Sequence, residues 1–234
     1  MKANRAETTL SRLPAARRAH FLLAAALVLL SGCASTQDEE VRKLQARATY
    51  EQAVRNLTEN RPALAMAALH EALQLDPENA QYHNTRGLVL LDHGRPVEAQ
   101  AEFQTAIDLE KTNPDLQHNL GIALAQQKRF DDAIAAYKKA LTFPTYTTPE
   151  VAYYNMGDAY IRLGKPQEAQ ESFRAAIQLE PAMVAAHYGL GLALSQGGRR
   201  DEAKAAFRQA RDLDPASPFS ELAKTALKQL GDGG

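Results

Sequence analysis

An all-α solenoid is the fold class the sequence predicts: about five stacked helix pairs closed by a C-terminal capping helix. Three observations predict it. Glycines stand at 87, 121, 157 and 191, and alanines at 99, 133, 169 and 203. Both series advance by 34, then 36, then 34 residues. Self-similarity at such a period marks units that bury their apolar faces only by stacking on neighbours. Within each unit the alanine is followed four residues later by an aromatic and seven later by another alanine. Positions three and four apart share one helix face.

The units follow in order. The second gives Gly87, Ala99, Phe103 and Ala106; the third gives Gly121, Ala133, Tyr137 and Ala140. The fourth gives Gly157, Ala169, Phe173 and Ala176; the fifth gives Gly191, Ala203, Phe207 and Ala210. A looser first copy keeps the register with Ala53, Ala65, Leu69, Ala72 and Pro77. The glycine falls inside the first helix, where it costs about 1 kcal/mol against alanine. Its recurrence predicts a close helix approach that a side chain would block. Gly94, Gly164 and Gly198 end first helices, and Pro62, Pro96 and Pro166 open second helices, where a missing N–H is harmless. Pro77, Pro181 and Pro215 close units. Beyond them Phe219, Leu222, Ala226, Leu227 and Leu230 keep helical spacing, with Ser217 as N-cap. This predicts a capping helix over 218–230 that covers the exposed face of the last unit.

The N-terminus differs in composition. Lys2, Arg5, Arg12, Arg17 and Arg18 precede ten apolar residues, Phe21 to Leu30. That run is too short for a bilayer core of about 30 Å; a basic head before it reads as a secretory signal. Leu30-Ser31-Gly32-Cys33 then resembles the bacterial lipobox, and Cys33 is the single cysteine of the chain. The resemblance implies a signal peptide over 1–32, acyl chains on Cys33 and a polar lipidated tether over 33–40. More than one acyl chain gives stable anchoring. Ala34 and Ser35 follow the cysteine. In bacterial lipoproteins an aspartate just after the cysteine favours the inner membrane, so its absence here favours the outer one, on the periplasmic side. Residues 1–32 carry five of the 27 basic and one of the 28 acidic residues. The remaining 22 and 27 leave a net charge near −5, which argues against a nucleic-acid partner.

Catalytic patterns do not emerge. His83 and His187 share one repeat position suited to packing between helices; His70 and His93 lie in a second helix and near a turn, and His20 lies in the signal. No His-x-x-x-His pair, Cys/His cluster, Gly-x-Ser-x-Gly or phosphate loop is present. The acidic pair Asp131-Asp132 suits the start of a helix. The expectation is a non-enzymatic protein with no metal, no cofactor apart from the lipid on Cys33, and no small-molecule substrate.

The 34-residue pattern resembles the tetratricopeptide repeat, over units at 46–79, 80–113, 114–147, 150–183 and 184–217 within a domain of 41–230. The stretch 153–160, Tyr-Tyr-Asn-Met-Gly-Asp-Ala-Tyr, carries the likeness most fully. The resemblance implies a right-handed superhelix whose first helices line a concave groove for a protein partner. Carried onto this chain, the groove takes Tyr50, Val54, Leu57, Leu88 and Leu91 at an apolar N-terminal end. His118, Asn119, Ile122, Tyr154, Asn155, Asp158, Ile161 and Arg162 follow, with Tyr188 and Leu192 beyond. An apolar groove suits an amphipathic helix or an extended apolar segment.

The 36-residue step is irregular: two extra residues and two prolines interrupt Leu141 to Glu150. Phe143 and Tyr146 are placed to fold back as an elbow, and a tolerated surface insertion is the alternative. A lipobox, tetratricopeptide repeats and a Tyr/Pro-rich enlargement before Ala152-x-x-Asn155-x-Gly157 resemble the pilotin lipoproteins of type IV pili, the PilF/PilW/Tgl group. Pro144, Tyr146 and Pro149 belong to the matching stretch, although the chain has fewer repeats than that group. The resemblance implies an outer-membrane lipoprotein that helps a secretin subunit, the pilus exit channel, reach that membrane and assemble. A general periplasmic adaptor recruiting a protease or cell-wall hydrolase shares every feature except the elbow.

Overall fold

The computed structural model describes residues 15–231, with side chains from 37 onward. Residues 1–14, with Lys2, Arg5 and Arg12 of the basic head, and the Cys33 side chain lie outside the described residues. The chain divides into two compact units, Met1–Pro77 and Glu78–Gly234. Every described element is an α-helix.

The first unit holds α1 (Ala15–Thr58) and α2 (Pro62–Leu75). The α1 backbone is helical through 33–40, the stretch assigned to a tether. Residues 34–58 contain no proline or glycine, so nothing in them stops a helix. No described helix is long and apolar enough to cross a membrane. Ala46 and Ala53 on α1 are buried, as are Ala65, Leu69 and Ala72 on α2, which is the stripe the spacing predicts. Pro62 occupies the first turn of α2.

The described residues of the second unit form nine helices: α3 (Ala80–Asp92), α4 (Pro96–Leu109), α5 (Pro114–Gln126), α6 (Phe130–Leu141), α7 (Pro149–Arg162), α8 (Pro166–Leu179), α9 (Val184–Gln196), α10 (Arg200–Leu213) and α11 (Pro218–Gln229). They pair in order as the sequence predicts, and each pair packs on the next. Asn79 caps α3 by accepting from the Gln81 and Tyr82 amides, and Asn113 caps α5 from the Asp115 amide. Pro114 and Pro149 open α5 and α7 in the manner of Pro96 and Pro166.

The recurring glycine has the packing cause its spacing implied. A Cβ built at Gly87 would lie 2.5 Å from Phe103 Cε1, and one at Gly157 would lie 2.7 Å from Phe173 Cε1. At Gly121 the obstructing ring is Tyr137, and at Gly191 it is Phe207. The aromatic of each second helix thus lies flat on the backbone of its own first helix. Those four rings are at most 2% exposed. Flanking alanines, among them Ala99, Ala133, Ala169 and Ala203, are fully buried and let the helices close on the ring.

First helices turn into second helices through one left-handed residue. It is Gly94 (φ 67°), Gly164 (φ 68°) and Gly198 (φ 76°) in three pairs of the second unit. In the remaining pair Lys128 (φ 61°) holds this place, and in the first unit Asn60 (φ 55°) does. Asparagine tolerates this region; lysine, with a Cβ against the following carbonyl, is strained there by about 1–2 kcal/mol.

The cap forms as expected. The Ser217 hydroxyl accepts from the Phe219 amide at 3.3 Å. Leu227 and Ala223 bury on Leu194, Phe207 and Ala210, while Ser220, fully buried, donates to the Ala210 carbonyl at 2.7 Å. Leu222, expected inside, is 47% exposed, because Ala223 takes the inward position.

Two substitutions test these contacts. Gly121→Ala should lower stability by about 1–3 kcal/mol despite the gain in helix propensity, because the new methyl meets the Tyr137 ring. Lys128→Gly should raise stability by about 1 kcal/mol, because it releases the left-handed strain. Urea unfolding followed by circular dichroism reads both, and shifts of the opposite sign would contradict the packing described.

Candidate functional site

The irregular step builds a structural feature at mid-unit. Between α6 and α7 the chain runs through seven residues, 142–148, against four between α4 and α5. The Tyr146 amide donates to the Phe143 carbonyl at 3.1 Å, which closes a turn. That turn drives Tyr146, 8% exposed, into a cluster with Leu124, Ile134, Tyr137, Ala152 and Met156. Phe143 stays half-buried, with the Lys139 ammonium 5.6 Å from its ring. The elbow therefore packs as a core element, which a tolerated surface insertion would not.

His118 on α5 meets that elbow. The ring is buried, not turned to an open groove as its repeat position implied. Its Nδ1 lies 2.7 Å from the Tyr146 hydroxyl oxygen and its Nε2 lies 3.4 Å from Asn155 Nδ2. The ring also packs against Tyr137, with centroids 5.4 Å apart. A neutral imidazole has one donor and one acceptor nitrogen. Nδ1–H donating to the Tyr146 oxygen and Nε2 accepting from the Asn155 amide satisfies both contacts. A protonated ring would set N–H against N–H at Asn155. Burial accordingly holds the His118 pKa below its ordinary 6.5, opposed by the Asp115 carboxylate. One residue from α5, one from the elbow and one from α7 are joined at this point.

Beside that junction, α5 and α7 leave a hollow of about 590 Å³. Ile122, Ala125 and Gln126 line it from α5, and Lys128 from the turn. Phe130 and Tyr137 come from α6, and Asn155, Asp158, Ala159 and Arg162 from α7. Four of the predicted groove residues, Ile122, Asn155, Asp158 and Arg162, meet here. The Arg162 guanidinium lies 3.7 Å from the Asp158 carboxylate, an exposed pair of small energetic weight. Burial pushes the Tyr137 phenol pKa up, and the Asp158 carboxylate adds to the shift.

The other predicted residues lie elsewhere. Leu88 is exposed, whereas Leu91 is buried and serves the core. Helix α3 rotates Leu91 beside Leu90 and Val89 toward the interior. Asn119 donates to the Asn84 side-chain oxygen at 2.9 Å, tying α5 to α3. Tyr154 packs on Phe173 with ring centroids 5.9 Å apart, and Ile161 joins the same cluster. Tyr188 packs between Phe207 and Phe219, and Leu192 lies beside it. In the first unit Val54 is exposed, while Tyr50 and Leu57 are half-buried. A smaller hollow of that unit, about 200 Å³, is lined by Gln52, Asn56, Leu64, Ala67, Ala68 and Glu71.

The residues missed were Ala125, Gln126, Lys128, Phe130, Tyr137 and Ala159. Two left a signal in the repeat register. Lys128 stands where Gly94, Gly164 and Gly198 stand, and Tyr137 stands where Phe103, Phe173 and Phe207 stand. The remaining histidines find local partners. His83 Nδ1 is 2.7 Å from the Glu102 carboxylate, and His187 Nε2 is 2.9 Å from the Pro181 carbonyl. Among the described residues no three His, Cys, Asp or Glu side chains gather as metal ligands.

The sequence pattern of the tetratricopeptide repeat matches residues 50–114, 84–146 and 154–218. The chain belongs to the tetratricopeptide repeat family. These repeats are protein-interaction scaffolds, so a protein partner is implied. Among solved structures, MamA is 26% identical with a TM-score of 0.65, over 72% of this chain and 91% of its own. PilW, described as a widely conserved type IV pilus biogenesis factor, is 21% identical with a TM-score of 0.73, over 80% and 86%. PilF from Pseudomonas aeruginosa is 20% identical with a TM-score of 0.70, over 82% and 86%. At these identities the likeness to PilW and PilF is one of fold. No curated protein sequence matches the chain.

The buried tetratricopeptide histidine gives a pH-dependent stability. Below about 6.5 the unfolded chain takes up the His118 proton first, since the folded state resists it. Stability is therefore full above that pH and falls as pH drops toward the lowered folded value. The urea midpoint should fall between pH 7.5 and pH 5.5, and more steeply in the native chain than in His118→Gln. Tyr146→Phe should cost about 1–2 kcal/mol at neutral pH, by removing a partner of the buried ring.

Proposed function

We propose that this protein is a non-enzymatic outer-membrane lipoprotein, anchored through Cys33 on the periplasmic side. As a pilotin-like scaffold it promotes localisation and assembly of a type IV pilus secretin. The observation that carries the reading is the coincidence of a lipobox-like Leu30-Ser31-Gly32-Cys33 with an enlarged mid-chain elbow whose Tyr146 is built into the core. The similarity in fold to PilW and PilF supports it. The lipid on Cys33 supplies the membrane address, and the scaffold engages a secretin subunit and carries it there. The apolar positions Tyr50, Val54, Leu57 and Leu88 remain candidate contacts, each on its own unit.

A second reading is a periplasmic adaptor that recruits a protease or a cell-wall hydrolase. It draws on the repeats and the lipobox-like segment alone and makes no use of the elbow.

Deletion of the gene separates the two. Loss of pili, with secretin multimers reduced to monomers at unchanged secretin expression, is the expected result. Normal pili and multimers would sink the pilotin reading. Cys33→Ser should move the protein out of the membrane fraction, and a variant that still fractionates with membranes would refute the anchor. Cross-linking from Val54 and Leu88 in cells should capture the secretin, whereas capture of a hydrolase selects the adaptor.

A further inference from the structure

Lys128 and Tyr137 set the α5–α7 hollow apart from its counterparts. Lysine occupies a left-handed turn position that three sister pairs fill with glycine. A strained non-glycine residue in a hollow points to a use for its side chain. The Lys128 ammonium has no ion-pair partner among the described residues, and it lines the hollow. Tyr137 carries a hydroxyl where the sisters carry phenylalanine, and its ring also lines the hollow. Among the described residues no protein group accepts from that hydroxyl. Arg162 adds a second cation, so two cations face the single carboxylate of Asp158. Ile122, Phe130 and Ala159 supply the apolar wall.

We propose that this hollow docks an extended segment of a partner protein in which an aromatic or branched side chain is followed directly by Asp or Glu. The apolar side chain seats on Ile122, Phe130 and Ala159. The carboxylate is received by Lys128 and Arg162, and the Tyr137 hydroxyl donates to it. Charge complementarity selects this occupant: the hollow has a net positive charge inside a chain whose acidic residues outnumber its basic ones. The proposal deepens the scaffold reading and needs only that the groove binds protein; it does not depend on the partner being a secretin.

The test uses the full chain in detergent and fluorescein-labelled decapeptides in a Gly/Ser background. One carries Leu-Phe-Asp-Glu at its centre, one Leu-Phe-Asn-Gln and one Ala-Ala-Asp-Glu. Anisotropy should show the first binding about tenfold tighter than either control, with the preference shrinking at high salt. Lys128→Gly installs the residue of the sister turns, so the fold is retained. It should cut affinity for the acidic peptide about fivefold and leave the amide peptide unchanged. Tyr137→Phe, the side chain of the sister helices, should cut it about threefold. Equal binding of the three peptides, no binding at all, or an undiminished preference in Lys128→Gly would overturn the proposal. Normal pili after deletion of the gene would sink the pilotin reading and leave this one standing, because the peptides contain no secretin sequence.

Discussion

The contact between a first-helix glycine and a second-helix aromatic ring supports the rest of this molecule. Each ring at 103, 137, 173 and 207 lies directly on backbone, where even a methyl group would collide. Backbone against ring face brings two helices closer than side chains interdigitating would allow. The fully buried alanines exist to permit the same approach. Phe173 is also met by Gly189 of the next pair, so there the contact that forms a pair also joins it to its neighbour. A stack of such pairs needs no central core, and its stability is a sum of local terms.

On that regular frame the irregular step acts as a local device. The longer connection after α6 sends Tyr146 inward to His118, and His118 reaches Asn155 on α7. Three segments that a regular turn would leave in simple packing contact are held instead by a polar junction. Neutral imidazole is the form that fits it, so the junction is strongest where the ring is unprotonated. The hollow that holds Lys128, Arg162 and the Tyr137 hydroxyl lies next to it, between the same two helices. Elbow and hollow thus occur at the same junction, between the α5/α6 pair and the α7/α8 pair.

Much of this was legible in the residues. The positions of Gly121, Ala133 and Tyr137 disclosed the helix pairs; Pro96 and Pro166 disclosed the starts of second helices; Ser217 disclosed the cap. The groove was less legible. Position within a repeat told which helix face a residue occupies, but it did not distinguish a side chain open to the hollow from one engaged by a neighbour. Leu91 and His118 share a face with groove residues and are nonetheless buried, because adjacent elements cover them. Lys128 was visible only as a missing glycine, a signal that the register contained and that motif reading passed over.

The sequence by itself determined the repeat, its pairing, its cap and the site of its irregularity, since periodic spacing converts directly into helix faces through local geometry. The tertiary structure decided which of those faces open onto solvent and which polar groups meet: Tyr146 with His118, and Lys128 with Tyr137 and Arg162 in one hollow. Those meetings depend on distances between residues far apart in the chain. Such distances are set by how pairs pack and how a connection folds back, which no spacing along the sequence encodes.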